Sequence, residues 1–225
     1  MDNFKDVYLK NVPDSLKYLV PILDSVYRND QKFRSVTDNK LYKKNKKRQD
    51  ELDDKNLQII TKIIEKHGWL NIGDVGMVGA KAITMVMVHA GVRTKLKYYP
   101  FLIDAIRKRK IDYETVAVYE DKLNLMLRRQ QYYGTQMMQY DGKFTLYPVI
   151  YFNELPSRRT MMGLMPIKQY LKFFSNPDID LKMYSEKYSQ IAASVKLTDS
   201  TPIHIDLRYI LDSLKREKKD SVKIL

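Results

Sequence analysis

Apolar residues recur at helical spacing along most of the chain, and this pattern predicts a mainly α-helical protein. The stretches with this spacing cover residues 15–36, 41–67, 75–90, 94–110, 113–129, 156–162, 166–174, 179–195 and 205–219. Pro21 either interrupts the first helix or starts it. Gly68 directly follows the second stretch, and it suits the left-handed position that commonly ends a helix.

One stretch, residues 75–90, is apolar almost all round. A helix of this kind normally lies at the centre of its domain, so we expect a compact helical domain built around it. Gly76 and Gly79 lower its helix propensity. They therefore either allow close packing or mark the start of the helix.

The pattern changes near residue 136. Two short β-prone runs, 136–140 and 143–147, flank the dipeptide Asp141-Gly142. An Asp-Gly pair between such runs is a strong local signal for a two-residue hairpin turn. We therefore predict a small β-hairpin within residues 136–147 of an otherwise helical protein.

Asn176-Pro177 is the best candidate for a domain boundary, because this dipeptide disfavours helix. Residues 1–175 are then the helical core domain, and residues 176–225 form a C-terminal extension. The extension contains two predicted helices, 179–195 and 205–219. They either pack on the core or form a helical hairpin of their own.

Composition narrows the class of protein. A chain of 225 residues with 44% hydrophobic residues can bury a substantial core, and the absence of cysteine excludes disulfides and thiolate metal sites. The longest apolar run, 82–88, is too short to span a bilayer, and no secretory leader is evident. We expect a cytoplasmic protein without a membrane segment. No phosphate-binding loop, dinucleotide fingerprint or metal-ligand spacing is present, so we expect no metal and no cofactor.

The formal net charge of +13 is distributed unevenly. One basic run contains Lys40, Lys43, Lys44, Lys46, Lys47 and Arg48, and another contains Lys215, Arg216, Lys218, Lys219 and Lys223. One explanation is that both runs form solvated helix faces. Alternatively, they bind nucleic acid or an acidic protein through their charge.

The richest polar stretch is the nine-residue segment 128–136, which reads Arg-Arg-Gln-Gln-Tyr-Tyr-Gly-Thr-Gln. It offers many directional hydrogen-bond donors and acceptors, and Gly134 is free to take a positive φ. This composition suits recognition of a polar partner better than core packing.

Two residues are candidates for proton-transfer chemistry. His89 ends the apolar stretch, and an imidazole exchanges protons near neutral pH. The alternative is a buried histidine that bonds a backbone carbonyl. Asp121 lies on an apolar helix face, where a carboxylate needs a partner. That partner is His89, Arg159 or a ligand, or else Asp121 forms a structural salt bridge with a neighbouring arginine.

A set of short motifs, in this order, resembles a bacterial family catalogued as domain of unknown function 6624. The motifs are Asn29-Asp30-Gln31 with Arg34, Gly68-Trp69, Val75-Gly76, His89-Ala90, Glu120-Asp121, the run from Gln131 to Gln136, Arg158-Arg159 and Gly163-Leu164. The resemblance covers roughly residues 20–174 and implies that His89, Asp121, Gln131, Tyr133, Gly134, Gln136 and Arg159 are signature positions. It implies no activity. The chain departs from the family pattern at Lys122, where arginine is usual, and at Leu70, where proline is usual.

Our leading hypothesis is a polar ligand-binding pocket with metal-independent acid–base catalysis. In it, His89 transfers protons, Asp121 orients His89 and Arg159 holds an anionic group. The remaining ligand-binding candidates are Gln131, Tyr133, Gly134, Thr135 and Gln136. The alternative for these residues is a buried structural polar network. Two other functions stay open, namely a basic nucleic-acid-binding protein and an immunity-type partner of an acidic protein.

Overall fold

The computed structural model of the protein describes residues 11–34, 39–173, 181–198 and 200–206. It is mainly helical with one two-stranded antiparallel sheet, which confirms the predicted fold class. The chain divides into two compact units, Met1–Ile111 and Asp112–Leu225. The boundary predicted at Asn176-Pro177 lies outside the described residues.

Four helices lie among the described residues of the first unit, and they follow the predicted stretches closely. They are α1 (Leu19–Gln31), α2 (Asn39–His67), α3 (Ile72–His89) and α4 (Val92–Arg107), and a 3₁₀ turn, Asp14–Leu16, precedes them. Pro21 lies in the first turn of α1, where a missing N–H leaves no hydrogen bond unmade. Gly68 ends α2 with a φ of +72°, as its position predicted.

Helix α3 packs against α1 and α2, and its buried face supplies the centre of the first unit's core. Fully buried side chains on these helices include Leu23, Ile60, Ile64, Ile83 and Met87. The helix is not buried all round, however, because Ile72, Met77 and Val78 are 54%, 42% and 38% exposed. Among the described residues, α3 is the one helix that is long enough and apolar enough to cross a membrane. This is weak evidence for a membrane span, because the core helices of soluble proteins pass the same test.

The beginning of α3 combines a capping box with a kink. Asn71 accepts a hydrogen bond from the backbone of Asp74 at 3.1 Å, and the Asp74 carboxylate accepts one from the Asn71 backbone at 2.8 Å. Gly76 then leaves the helical region with φ 75° and ψ 171°. This conformation is essentially restricted to glycine, so Gly76 separates the capped first turn from the helical remainder of α3.

The described part of the second unit contains the hairpin and four helices. The elements are α5 (Tyr113–Met126), β1 (Met137–Tyr140), β2 (Lys143–Leu146), α6 (Leu155–Met161), α7 (Ile167–Phe173) and α8 (Leu181–Ser194). Tyr140 pairs with Lys143, and the two turn residues Asp141 and Gly142 have φ values of 53° and 72°. Two left-handed residues at this position make a type I′ turn, so the predicted hairpin is confirmed.

Residues that follow the predicted boundary pack within the second unit. Tyr184 and Ile191 of α8 are buried in a cluster with Leu146, Val149 and Leu155. The side-chain amide of Asn124 donates to the carbonyl of Ile203 at 2.8 Å and accepts from its N–H at 2.7 Å. Of the helix predicted over 205–219, the first two residues are described and are not helical, and the remainder lies outside the described residues.

Gly76→Ala is expected to destabilise the protein by about 1–3 kcal/mol, because alanine is strained at this φ and ψ. A Cβ at this position would meet no atom within 4 Å, so the loss reports the backbone alone. Gly91→Ala is the control, since Gly91 has an ordinary φ of −68° and open space around its Cα. Urea unfolding of both variants measures the difference, and equal losses would contradict the backbone explanation.

Candidate functional site

The loop 131–136 is held from one side by the carboxylate of Asp121, a buried residue of α5. Asp121 Oδ1 accepts hydrogen bonds from the backbone N–H groups of Tyr132 at 2.7 Å and Tyr133 at 2.9 Å. Its Oδ2 accepts from the N–H and the hydroxyl of Thr135, both at 2.9 Å. Complete burial raises the pKa of the Asp121 carboxyl, and these four hydrogen bonds, which favour the ionised form, oppose that rise.

Two arginines of α6 hold the carbonyl groups of the same loop. Arg158 Nε donates to the Tyr132 carbonyl at 2.9 Å, and Arg159 Nη1 donates to the carbonyls of Tyr133 at 2.7 Å and Gly134 at 3.2 Å. Arg159 Nε bonds the Met165 carbonyl at 2.7 Å. Burial lowers the pKa of both guanidinium groups, although arginine stays charged.

The remaining predicted ligand-binding residues are also used within the second unit. Gln131 is buried, and its side-chain amide accepts from the Gln136 N–H at 2.9 Å and donates to the carbonyls of Gln136 and Tyr147 at 3.0 and 2.7 Å. Gly134 has a φ of +67°, and a Cβ there would lie 3.3 Å from Leu155. The Gln136 side chain donates to the Thr135 hydroxyl at 3.1 Å. Burial raises the pKa of Tyr133, whose hydroxyl bonds Glu120.

The structure therefore brings together Asp121 and all six predicted ligand-binding residues, but it commits their hydrogen-bonding capacity to the protein itself. Arg159 is 1% exposed and bonds three carbonyls, so its guanidinium is not presented to an anionic group. This arrangement matches the buried structural network that was the alternative interpretation of the sequence.

His89, in the first unit, has a different acidic partner from the one that the sequence analysis expected. Its Nδ1 lies 3.0 Å from Oδ1 of Asp30, the penultimate residue of α1. Asp30 is 1% exposed, and Oδ2 of its carboxylate accepts from Gln31 at 2.7 Å. Burial alone would raise the pKa of the Asp30 carboxyl, but the bonds from His89 and Gln31 and the charge of Arg34 hold it below its usual value.

A second acidic residue, Asp53 of α2, completes the frame around Asp30. Arg34 binds both oxygens of Asp53 at 2.9 and 2.6 Å, and it also donates to the Asp30 backbone carbonyl at 2.6 Å. Gln49 donates to Asp53 at 2.7 Å and accepts from the Phe33 backbone at 3.2 Å. A bidentate arginine thus ties α1 to α2 beside the His89 contact.

His89 keeps one nitrogen available for chemistry. An ionised carboxylate only accepts hydrogen bonds, so Nδ1 donates to Asp30 and Nε2 is the nitrogen left to accept a proton. Nε2 makes no hydrogen bond to a described residue. His89 lines a cavity of about 100 Å³ together with Asp30, Asp53, Asp54, Leu57, Val86, Ala90 and Gly91.

The other two histidines have different surroundings. His67 bonds the Tyr18 hydroxyl at 3.0 Å, and His204 stacks on Tyr132 with ring centroids 4.0 Å apart. In the part of the chain that the structure describes, no group of three or more His, Asp or Glu side chains is placed to hold a metal ion.

Sequence reasoning missed Asp30, Arg34 and Asp53 as members of the His89 site. The signal for two of them was present, because Asn29-Asp30-Gln31 and Arg34 are part of the family pattern. No family model, curated protein or solved structure matches the chain.

Asp121→Asn is expected to destabilise the protein by about 3 kcal/mol or more, because the new amide NH₂ would face N–H groups inside a buried site. Asp112→Asn is a matched control. Asp112 caps α5 by accepting from the Thr115 N–H at 2.6 Å, and asparagine caps equally well. Urea unfolding followed by circular dichroism measures both, and similar small losses would show that the Asp121 contacts contribute little.

Asp30→Asn is expected to lower stability at neutral pH and to lose this effect in acid. The folded pKa of Asp30 lies below its unfolded value, so the carboxylate stabilises the protein above about pH 4 and stops doing so as pH falls through the folded pKa. Urea unfolding of wild type and variant between pH 2.5 and 7 measures the gap. Asp54→Asn, at an exposed position, is the control, and a gap that widens in acid would contradict the assignment.

Proposed function

We propose that the first unit binds a small polar ligand at His89 and exchanges a proton with it, without a metal. The hydrogen bond between His89 and the buried Asp30 carries this proposal. A carboxylate on Nδ1 keeps the imidazole in one orientation and leaves Nε2 as the proton acceptor. The same carboxylate stabilises the imidazolium that forms once Nε2 has taken a proton.

The cavity supports a particular class of ligand. Its acidic lining residues Asp53 and Asp54 accept hydrogen bonds, and Asp54 makes no ion pair with a described residue. A hydroxyl, amide N–H or amine therefore matches this site better than an anion does. A volume of about 100 Å³ admits a ligand of a few heavy atoms, or one end of a longer molecule such as a peptide.

Membership of the family named above remains part of this proposal, and so does the cytoplasmic location. Asp30 and His89 are both in the family pattern. A ligand-binding role for His89 would explain why this signature residue has a ring nitrogen without a hydrogen bond to a described residue. Asp121 keeps its place among the signature residues as the support of the loop 131–136 rather than as the partner of His89.

A thermal-shift screen of amines, hydroxy compounds and short peptides tests the proposal on wild type, His89→Gln and His67→Gln. A ligand at a hundredfold excess over its Kd stabilises the protein by about 2.7 kcal/mol, so it raises the midpoint measurably. We expect a compound that shifts wild type and His67→Gln but not His89→Gln. A compound that shifts all three equally, or none that shifts wild type, would reject a binding site at His89.

A second candidate function is binding of a polyanion by the first half of α2. Lys43, Lys44, Lys47 and Arg48 are exposed there, and none makes an ion pair with a described residue. The run that contains Lys215 and Lys223 lies outside the described residues. Charge-driven binding weakens steeply with salt, so the salt dependence of oligonucleotide affinity distinguishes it from the His89 site.

Capture of one acidic protein at fixed stoichiometry would favour the immunity-type alternative.

A further inference from the structure

The second unit contains a larger cavity, of about 310 Å³, which we call the aromatic cavity. Its lining includes four aromatic residues, Tyr151, Phe152, Tyr184 and Tyr188. The other lining residues are Val149, Asn153, Ser185 and Ser189. Among the lining residues that the structure describes, none carries a charged side chain, in contrast to the acidic cavity at His89.

The inner aromatic walls are held in place by the core. Tyr184 packs against Phe152 with centroids 4.9 Å apart and against Tyr188 at 5.8 Å. The Tyr184 hydroxyl accepts from the Val149 N–H at 3.1 Å, and the Tyr188 hydroxyl donates to Gln130 at 2.6 Å. Because both rings are anchored by their hydroxyls, the cavity walls are pre-organised for a ligand.

Tyr151 stands at the rim of this cavity in a conformation that packing does not explain. Its side chain is 67% exposed, and its backbone is left-handed, with φ 45° and ψ 61°. A bulky aromatic residue is a genuine outlier in this region, and such strain persists chiefly at binding and catalytic sites. The exposed ring buries little area in the core and is accessible to another molecule.

Three neutral polar side chains supply unspent hydrogen-bonding capacity. Asn153, Ser185 and Ser189 are exposed, and none of their side chains bonds a described residue. This distinguishes the aromatic cavity from the loop 131–136, where most of the corresponding groups are committed to the protein. An amide beside two hydroxyls can both donate to and accept from the edge of a polar ring.

We propose that the aromatic cavity binds the base of a nucleoside. A flat ring stacks on aromatic side chains, and an asparagine amide pairs with the donor and acceptor on a base edge. A cationic ligand is disfavoured because none of the described lining residues is acidic and the chain carries a net charge of +13. The base belongs either to a free nucleoside or to a single-stranded nucleic acid. Arg128 and Arg129, next to Gln130, are cations suited to the phosphates of the second.

Calorimetry with the four ribonucleosides, and fluorescence anisotropy with a labelled 12-nucleotide single strand, test this proposal on the full chain. Tyr151→Gly is the main variant, because glycine removes the ring and accepts the left-handed backbone. We expect this variant to unfold at a higher temperature than wild type and yet to bind about tenfold to hundredfold more weakly. A gain in stability with a loss of affinity separates binding from folding.

Two further variants keep the result interpretable. Ser189→Leu, at an exposed position of α8, places a larger side chain in the cavity and is expected to weaken binding in the same way. Phe144→Ala removes an exposed aromatic residue of β2 that does not line the cavity, and it should leave affinity unchanged. Equal affinity in wild type, Tyr151→Gly and Ser189→Leu would overturn the proposal.

The two ligand arms identify the source of the base. Equal affinities for a nucleoside and the 12-nucleotide strand indicate a free nucleoside. Binding of the strand that is tighter and salt-sensitive, and that still requires Tyr151, indicates nucleic acid. Binding of the strand that is indifferent to Tyr151, without nucleoside binding, would overturn the proposal and leave charge alone as the cause. The His89 site is tested by other variants, so either proposal can fail without the other.

Discussion

The second unit depends on a loop whose backbone N–H groups and carbonyl groups are both hydrogen-bonded by buried charged side chains. The Asp121 carboxylate takes N–H groups of Tyr132, Tyr133 and Thr135, while Arg158 and Arg159 take the carbonyls of residues 132, 133 and 134. A buried charge is costly unless hydrogen bonds compensate it, and a buried loop is costly unless its backbone is paired. Here the loop backbone compensates the buried charges, and the charged side chains pair the loop backbone. Asp121, the two arginines and the loop therefore depend on one another.

Polar side chains are hydrogen-bonded within the protein to different extents in the two units. Around the loop 131–136, amides, hydroxyls and guanidinium groups are used to pair backbone atoms, and little of their capacity is left for a ligand. At His89, Asp30 occupies one ring nitrogen, and the other makes no hydrogen bond to a described residue. The number of polar residues in a segment is therefore a poor guide to function, and the hydrogen bonds that remain unused are a better one.

Most of the fold could be predicted from local sequence signals. Helical periodicity located α1 to α8 within a few residues, Gly68 ended α2, and Asp141-Gly142 made the hairpin turn. These features depend on backbone preferences that act over a few neighbouring residues. The candidate site was predicted less well. Asp121 was predicted to need a partner, and it accepts four hydrogen bonds from the loop 131–136. His89 was paired with Asp121, whereas its acidic partner in the structure, Asp30, is 59 residues away along the chain.

The sequence by itself determined which residues form helices, where turns occur and which polar side chains require compensation, because these properties are local and chemical. Only the tertiary structure decided the partners. Packing of α1 against α3 placed Asp30 beside His89, and the fold of the second unit turned Asp121 and Arg159 onto the loop backbone. Tyr151 shows the same limit, since no local pattern indicates that a tyrosine will take a left-handed backbone beside a cavity. Hydrogen bonding is short-ranged in space but indifferent to sequence separation, so the fold had to be known before these contacts could be assigned.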